Sequence, residues 1–136
     1  MLKKLKQTSR QSTVSLGLLV LRVGASLSMI ALHGYPKIMG WSESSTKFFD
    51  PLGVGPAASL ALVIFAEIIC SLLITFGWFT RLAAIPLIIA MSVATFGYHA
   101  ADPLAVQEKG YMYIVIYLTL LLAGAGKYSV DGKSSR

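Results

Sequence analysis

Two side chains carry formal charge where their neighbours are suited to hydrocarbon. Arg22 interrupts "LGLLVLRVGASLSMIAL", and Glu67, in "ALVIFAEIICSLLITFGW", has no charged neighbour between Asp50 and Arg81. An arginine or carboxylate in such surroundings neutralises a partner, relays protons or holds a polar ligand. Proton-active residues gather nearby in depth: His33, Lys37 and His99, with Tyr35, Tyr98 and Tyr113. Histidine changes charge near neutral pH, so the set Arg22, His33, Lys37, Glu67, His99 and Tyr113 suits a quinone headgroup or a small anion. Two histidines on separate helices lack an evident third ligand, so a metal is not expected. Interfacial hydrogen bonding is the alternative role for both histidines.

These residues need elements to position them, and the apolar runs supply four. Membrane helices are expected at about Ser15 to Leu32, Pro56 to Phe79, Leu82 to Ala100 and Tyr111 to Gly126, each near the roughly 20 residues needed to cross. The first also has the build of a signal peptide, basic residues followed by an apolar stretch; with Met1 at its head it is taken as a retained span. The expected fold is an all-α, integral membrane four-helix bundle. Residues 1–14 form a basic segment, 15–126 the transmembrane domain with an extracytoplasmic loop at 34–55, and 127–136 a tail. Within that loop a short interfacial helix is expected from Ser42, flanked by Trp41, Phe48 and Phe49.

Even spans put both termini on one side. Lys3, Lys4, Lys6, Arg10, Arg81, Lys127, Lys133 and Arg136 fall there, against Lys37, Lys47 and Lys109 opposite. The positive-inside rule therefore places both termini in the cytoplasm.

Counting inward at about 1.5 Å per residue, Arg22 lies roughly 10 Å from the cytoplasmic edge. Glu67 lies roughly 16 Å from the outer edge of a core about 30 Å thick. The depths then differ by about 4 Å, which predicts a buried Arg22–Glu67 ion pair. Such a pair either fixes helix register or lines a ligand site. Polar residues recur along helical faces: Arg22, Ser26, Met29 and His33; Glu67, Ser71 and Thr75; Ser92, Thr95 and His99; Tyr113 and Tyr117. Lipid leaves such groups unsatisfied, so these stripes are expected to face inward.

Composition removes other classes. Of 136 residues 55% are hydrophobic and 13% charged, against about a quarter charged in soluble domains, and mean hydropathy is +0.69. One cysteine, Cys70, excludes an intrachain disulfide or dithiol relay. The net charge of +6 is concentrated in "MLKKLKQTSR", beside an apolar helix and without interleaved aromatics. This points to anionic lipid headgroups rather than nucleic acid.

The elements "LRVGASLSMIALHGYPKI", "FFDPLGVGPA", "AEIICSLLITFGWFTRLAA" and "AGAGKYSVD", in this order, resemble the DoxX family of small bacterial membrane proteins, related to the DoxD-type subunit of thiosulfate:quinone oxidoreductase. The resemblance implies a four-helix inner-membrane bundle, roles in oxidative stress or sulfur metabolism, and redox partners. It also implies Arg22, Lys37 and Glu67 as characteristic polar positions. The chain departs from the family before the fourth span, where "KGYMY" puts Met112 in place of an acidic residue.

The chain carries no haem, flavin or iron–sulfur motif, so no catalysis by this chain alone and no covalent cofactor are expected. As a quinone-linked subunit it would take electrons from a protein partner. The alternatives are a purely structural subunit of a larger membrane complex or homo-oligomer and, third, a small transporter or channel.

Overall fold

A computed structural model describes residues 1–134, with the side chains of 5–9 left aside. Arg136, counted above on the terminal side, lies outside the described residues. Every regular element among them is helical. Helix α1 (Leu2–Met29) runs through a π-helical turn (Ile30–Gly34) into α2 (Tyr35–Met39). It therefore begins well before Ser15 and continues past Leu32. The short helix α3 (Trp41–Ser44) follows, one residue ahead of the expected start.

Helix α4 (Pro56–Ile64) passes through a second π-turn (Phe65–Cys70) into α5 (Ser71–Phe76). Helix α6 (Thr80–Ser92) ends in a third (Val93–Tyr98). Then come α7 (Leu104–Ala123) and α8 (Val130–Ser134). Three stretches are long and apolar enough to cross a membrane: Arg10–Met39, Pro56–Phe76 and Thr80–Tyr98. The fourth expected span falls on α7, which starts at Leu104 rather than Tyr111 and so takes in the polar "QEK".

Helix α1 packs against α5 and α7, and α6 packs along α7 and the second π-turn. Their shared core contains Met29, Ala66, Cys70, Ile74, Leu87, Tyr117 and Leu120. Two glycines set the spacing of the helices. A Cβ on Gly34 would run into Ile68 and Glu67, and one on Gly110 would run into Thr95. Each glycine therefore lets one helix backbone close on a π-turn of another, the role small residues play between membrane helices.

Helix ends are secured by local hydrogen bonds. At the end of α5, Gly77 takes a left-handed conformation (φ 70°). Its N–H donates to Ile74 O (3.0 Å) and the Trp78 N–H to Leu73 O (2.8 Å), a Schellman closure for which glycine carries no Cβ penalty. At the start of α4, Pro56 occupies the first turn, where its missing N–H costs nothing. Just ahead of it the Asp50 carboxylate accepts from Val54 N (3.1 Å), Gly55 N (2.8 Å) and Ser59 Oγ (2.8 Å).

The Ser59 hydroxyl, followed by the Gly55, Val54 and Gly53 amides, holds the Asp50 carboxyl below its ordinary value of 3.8. A carboxyl whose pKa is depressed by folding stabilises the fold above its unfolded value, and loses that contribution as pH falls through the lower folded value. Thermal unfolding between pH 7 and pH 2 is therefore expected to lose an Asp50-dependent increment only below about pH 4. Asp50→Asn should lack that step, and parallel curves for the two proteins would refute this assignment.

Candidate functional site

The two buried charges that prompt a search for a site do not pair with each other. Arg22 is 2% exposed and lies where α1 meets the end of α5 and the segment after α7. Its Nη1 donates to Ile74 O (3.2 Å) and Thr75 O, its Nε to Ala125 O (3.3 Å), and its Nη2 to Tyr128 O. Ile74 and Thr75 belong to the last turn of α5, whose carbonyls lack their i+4 amide partners and carry the negative end of the helix dipole. The arginine thereby ties α1 to the end of α5 and to the segment after α7.

Asp131 secures the other side of the same turn. Its carboxylate accepts from Phe79 N and Thr80 N, both at 2.9 Å, and its own N–H donates to Gly77 O (2.8 Å). It therefore caps α6 from 51 residues away in sequence. Phe79 at this junction has φ 50°, the one positive value outside glycine among the described residues.

Glu67 takes Lys37 instead. Lys37 Nζ donates to Glu67 Oε2 at 2.8 Å and Oε1 at 3.0 Å, and makes a longer bond of 3.4 Å to His33 O. The Glu67 side chain is 2% exposed and that of Lys37 26%, so the pair is buried at the acid and reaches the surface at the base. The expected Arg22–Glu67 pair is thus corrected. The depth count began the first span at Ser15, and its expected end at Leu32 left Lys37 in the loop, whereas the helix starts at Leu2 and continues to Met39. Side chains on a helix lean towards its N-terminus, so Lys37 reaches back one turn to the carboxylate.

Next to this pair His33 meets Tyr113 edge-on (centroids 5.4 Å apart), and Tyr113 stacks on Tyr117 at 6.0 Å. Both tyrosines lie within electrostatic range of Glu67. A groove of about 430 Å3 opens here, lined by Leu32, His33, Glu108, Lys109, Met112, Tyr113 and Ile116. It runs between the first π-turn and α7. Leu32 and Met112 on its walls are well exposed, at 69% and 56%.

Of the six expected site residues, the structure therefore brings together His33, Lys37, Glu67 and Tyr113. Arg22 lies at the terminal end. His99 stands apart at the head of the next loop, with its Nδ1 2.6 Å from Asp102 Oδ2 and its ring against Tyr98.

The groove residues Lys109 and Met112 are additions, as is the π-helical geometry: His33, Glu67 and Thr95 each lie within one of the three π-turns. Such turns occur often at functional sites. Gly34 and Gly110, which let two of these turns be approached closely, are the marks in the sequence that point to them. Of the expected inward stripes, Ser26, Ser71, Thr95 and Tyr117 are buried, whereas Thr75, Ser92 and His99 are only partly so; the hydroxyls of Ser71 and Tyr117 lie within reach of each other, and those of Ser26 and Thr95 have no hydrogen-bond partner among the described residues.

The DoxX family profile matches residues 17–100. The chain belongs to the DoxX family. That match takes in Arg22, His33, Lys37, Glu67 and His99 but stops short of Tyr113 and Asp131, so this DoxX protein completes its site and its terminal junction with residues beyond the matched segment. Two uncharacterized proteins of Haemophilus influenzae are each 34% identical to it. One aligns over 96 residues, 67% of this chain and 64% of the relative; the other over 112 residues, 77% and 81%. The chain thus spans somewhat under two thirds of the first relative's length. No solved structure matches it.

Removing one member of a buried pair strands the other, at about 3–5 kcal/mol; the exposed end of Lys37 lowers this to about 2–3 kcal/mol. Glu67→Gln and Lys37→Met are each expected to destabilise the detergent-solubilised protein by that amount. The combined Lys37→Met and Glu67→Gln variant should lose less than the sum, and strict additivity in the cycle would refute the coupling. Arg22→Lys is expected to cost about 2 kcal/mol, since an ammonium has three donors and no fork with which to span three chain segments. Faster amide exchange at Phe79 and Thr80 should accompany it, and unchanged exchange would count against the junction.

Proposed function

We propose that this DoxX protein is a membrane subunit of a redox-related assembly in the bacterial inner membrane. Four helices cross, with α7 as the fourth and both termini in the cytoplasm, and the groove between the first π-turn and α7 receives a quinone headgroup. The observation that carries this reading is the groove itself, because it joins apolar walls on the lipid-facing surface to proton donors at its floor.

The residues present fit such a ring. Leu32, Met112 and Ile116 supply walls for the headgroup and the first part of a tail, while His33, Tyr113 and Lys109 supply donors for carbonyl oxygens. The ring nitrogens of His33 and the hydroxyl of Tyr113 have no hydrogen-bond partner among the described residues. Apolar pockets with a few convergent polar groups are the usual form of small-molecule sites.

A bound quinone supplies two-electron, two-proton acceptor chemistry. The part of this chain is to bind and orient the ring and to exchange protons at its oxygens. His33 holds one ring proton or two according to pH. Glu67, neutralised by Lys37, sets the field at Tyr113. Electrons come from a protein partner, because the chain carries no redox motif of its own.

A second reading is favoured by a specific observation. Arg22 is wholly engaged with backbone carbonyls and Glu67 with Lys37, so both charges also serve helix placement, as in a purely structural subunit.

A photoreactive short-tailed quinone separates the two. In nanodiscs of fixed lipid content, saturable labelling is expected at peptides containing Leu32–His33 and Met112–Ile116. The combined His33→Leu and Tyr113→Leu variant should bind about tenfold more weakly, the effect of losing one or two hydrogen bonds. Labelling that rises linearly with quinone, or that maps elsewhere, would favour the structural subunit.

A further inference from the structure

At the opposite end of the molecule from the His33 groove lies a second, larger one. It has a volume of about 720 Å3 and runs between the start of α6 and the segment 124–132, lined among others by Phe79, Thr80, Arg81, Leu82, Lys127 and Asp131. The proposed quinone site makes no use of it.

Two cations stand at its edge with donors to spare. Arg81 is exposed and its guanidinium lies beside the Gly124 backbone, close enough that a Cβ there would touch Nε at 3.4 Å and Nη2 at 3.5 Å. One bond, from Nη2 to Leu122 O at 3.2 Å, holds it in place. Since a guanidinium has five N–H donors, most of its fork is left over. Lys127 Nζ donates to Ser12 Oγ (3.0 Å) and lies 5.0 Å from the Tyr128 ring centroid, which leaves two of its three donors.

The groove holds one carboxylate, Asp131, and both its oxygens accept backbone amides. Arg22 also lies within its electrostatic range. The field left over is positive. Thr80, which lines the groove, has a buried hydroxyl without a hydrogen-bond partner among the described residues. Around the rim Trp78, Phe79, Leu82 and Tyr128 are exposed, an arrangement of aromatic and aliphatic side chains suited to the boundary between headgroups and acyl chains.

We propose that this groove binds the phosphodiester headgroup of an anionic phospholipid, with Arg81 as the bidentate clamp, Lys127 as the second charge, and Leu82 and Phe79 against the acyl chain. A planar fork matches two phosphate oxygens in a way a lone ammonium does not. Basic pockets between membrane helices are where anionic headgroups collect. The bound lipid bridges α6 and the segment after α7, the two elements Asp131 already joins.

The test uses the full chain in mild detergent, with native mass spectrometry of added dioleoyl phosphatidylglycerol, dioleoyl phosphatidylcholine or inorganic phosphate. Phosphatidylglycerol is expected to bind about tenfold more tightly than phosphatidylcholine, a factor typical of one charge-assisted hydrogen-bonded contact. The combined Arg81→Gln and Lys127→Gln variant should reduce it towards the phosphatidylcholine level, while Lys47→Gln, an exposed lysine paired with Glu43, leaves the preference intact. If the double variant does not fold, Arg81→Lys serves: it keeps the charge, loses the fork, and should weaken phosphatidylglycerol about threefold.

Equal binding of the two lipids would overturn the proposal, as would a preference that survives both Arg81 variants. Competition by millimolar inorganic phosphate would replace it with a free-anion site. None of these outcomes bears on the groove at His33.

Discussion

Away from water, a guanidinium has to find acceptors within the protein, and the carbonyls at the end of a helix have to find donors. Arg22 meets both demands with one side chain. It brings α1, the last turn of α5 and the segment beyond Gly124 to a single point. Spreading the charge over backbone carbonyls leaves no second buried ion to desolvate, which is the weakness of a buried salt bridge. With that point fixed, the Schellman closure at Gly77 and the remote cap from Asp131 turn the chain from α5 into α6. The rest of the packing follows from where those two helices leave the turn.

Towards the other end the helices are held by contact and not by charge dispersal. Gly34 and Gly110 let backbones approach two of the π-turns, and the π geometry widens each helix where His33, Glu67 and Thr95 sit. Lys37 and Glu67 close this region with one ion pair. The molecule thus has one end tied by many hydrogen bonds and another closed by a single ion pair, beside which the His33 groove opens. A ligand that must enter from lipid is better served by the second.

Much of this was legible in the sequence. Apolar runs gave the three stretches long and apolar enough to cross, and helical spacing placed Ser26, Ser71, Thr95 and Tyr117 inside. The grouping of His33, Lys37 and Tyr113 at one mouth followed from depth alone. The partner of Glu67 did not, because counting depth assumes a known helix end and an ideal rise. Tyr35–Met39 extends the first helix by a further turn beyond its π-segment. The partners of Arg22 were beyond reach for another reason. They are backbone carbonyls of Ile74, Thr75, Ala125 and Tyr128, the last two brought to α1 only by the folding back of "AGAGKYSV"; carbonyls leave no mark in residue type. His99 shared a helical face with Thr95 in the sequence, but the helix ends at Tyr98 and the histidine turns to Asp102.

The remote cap on α6 orders events during synthesis. Thr80 is made long before Asp131, so when α5 and α6 first emerge as a hairpin, the amides of Phe79 and Thr80 await an acceptor still to be translated. Arg22 likewise waits for Ala125 and Tyr128. The hairpin turn therefore reaches its final form only once residues 125–131 have left the ribosome and returned to it. Insertion of the early helices and their locking together are separate steps, divided by the time needed to translate about 50 residues, a few seconds at about 5–20 residues per second.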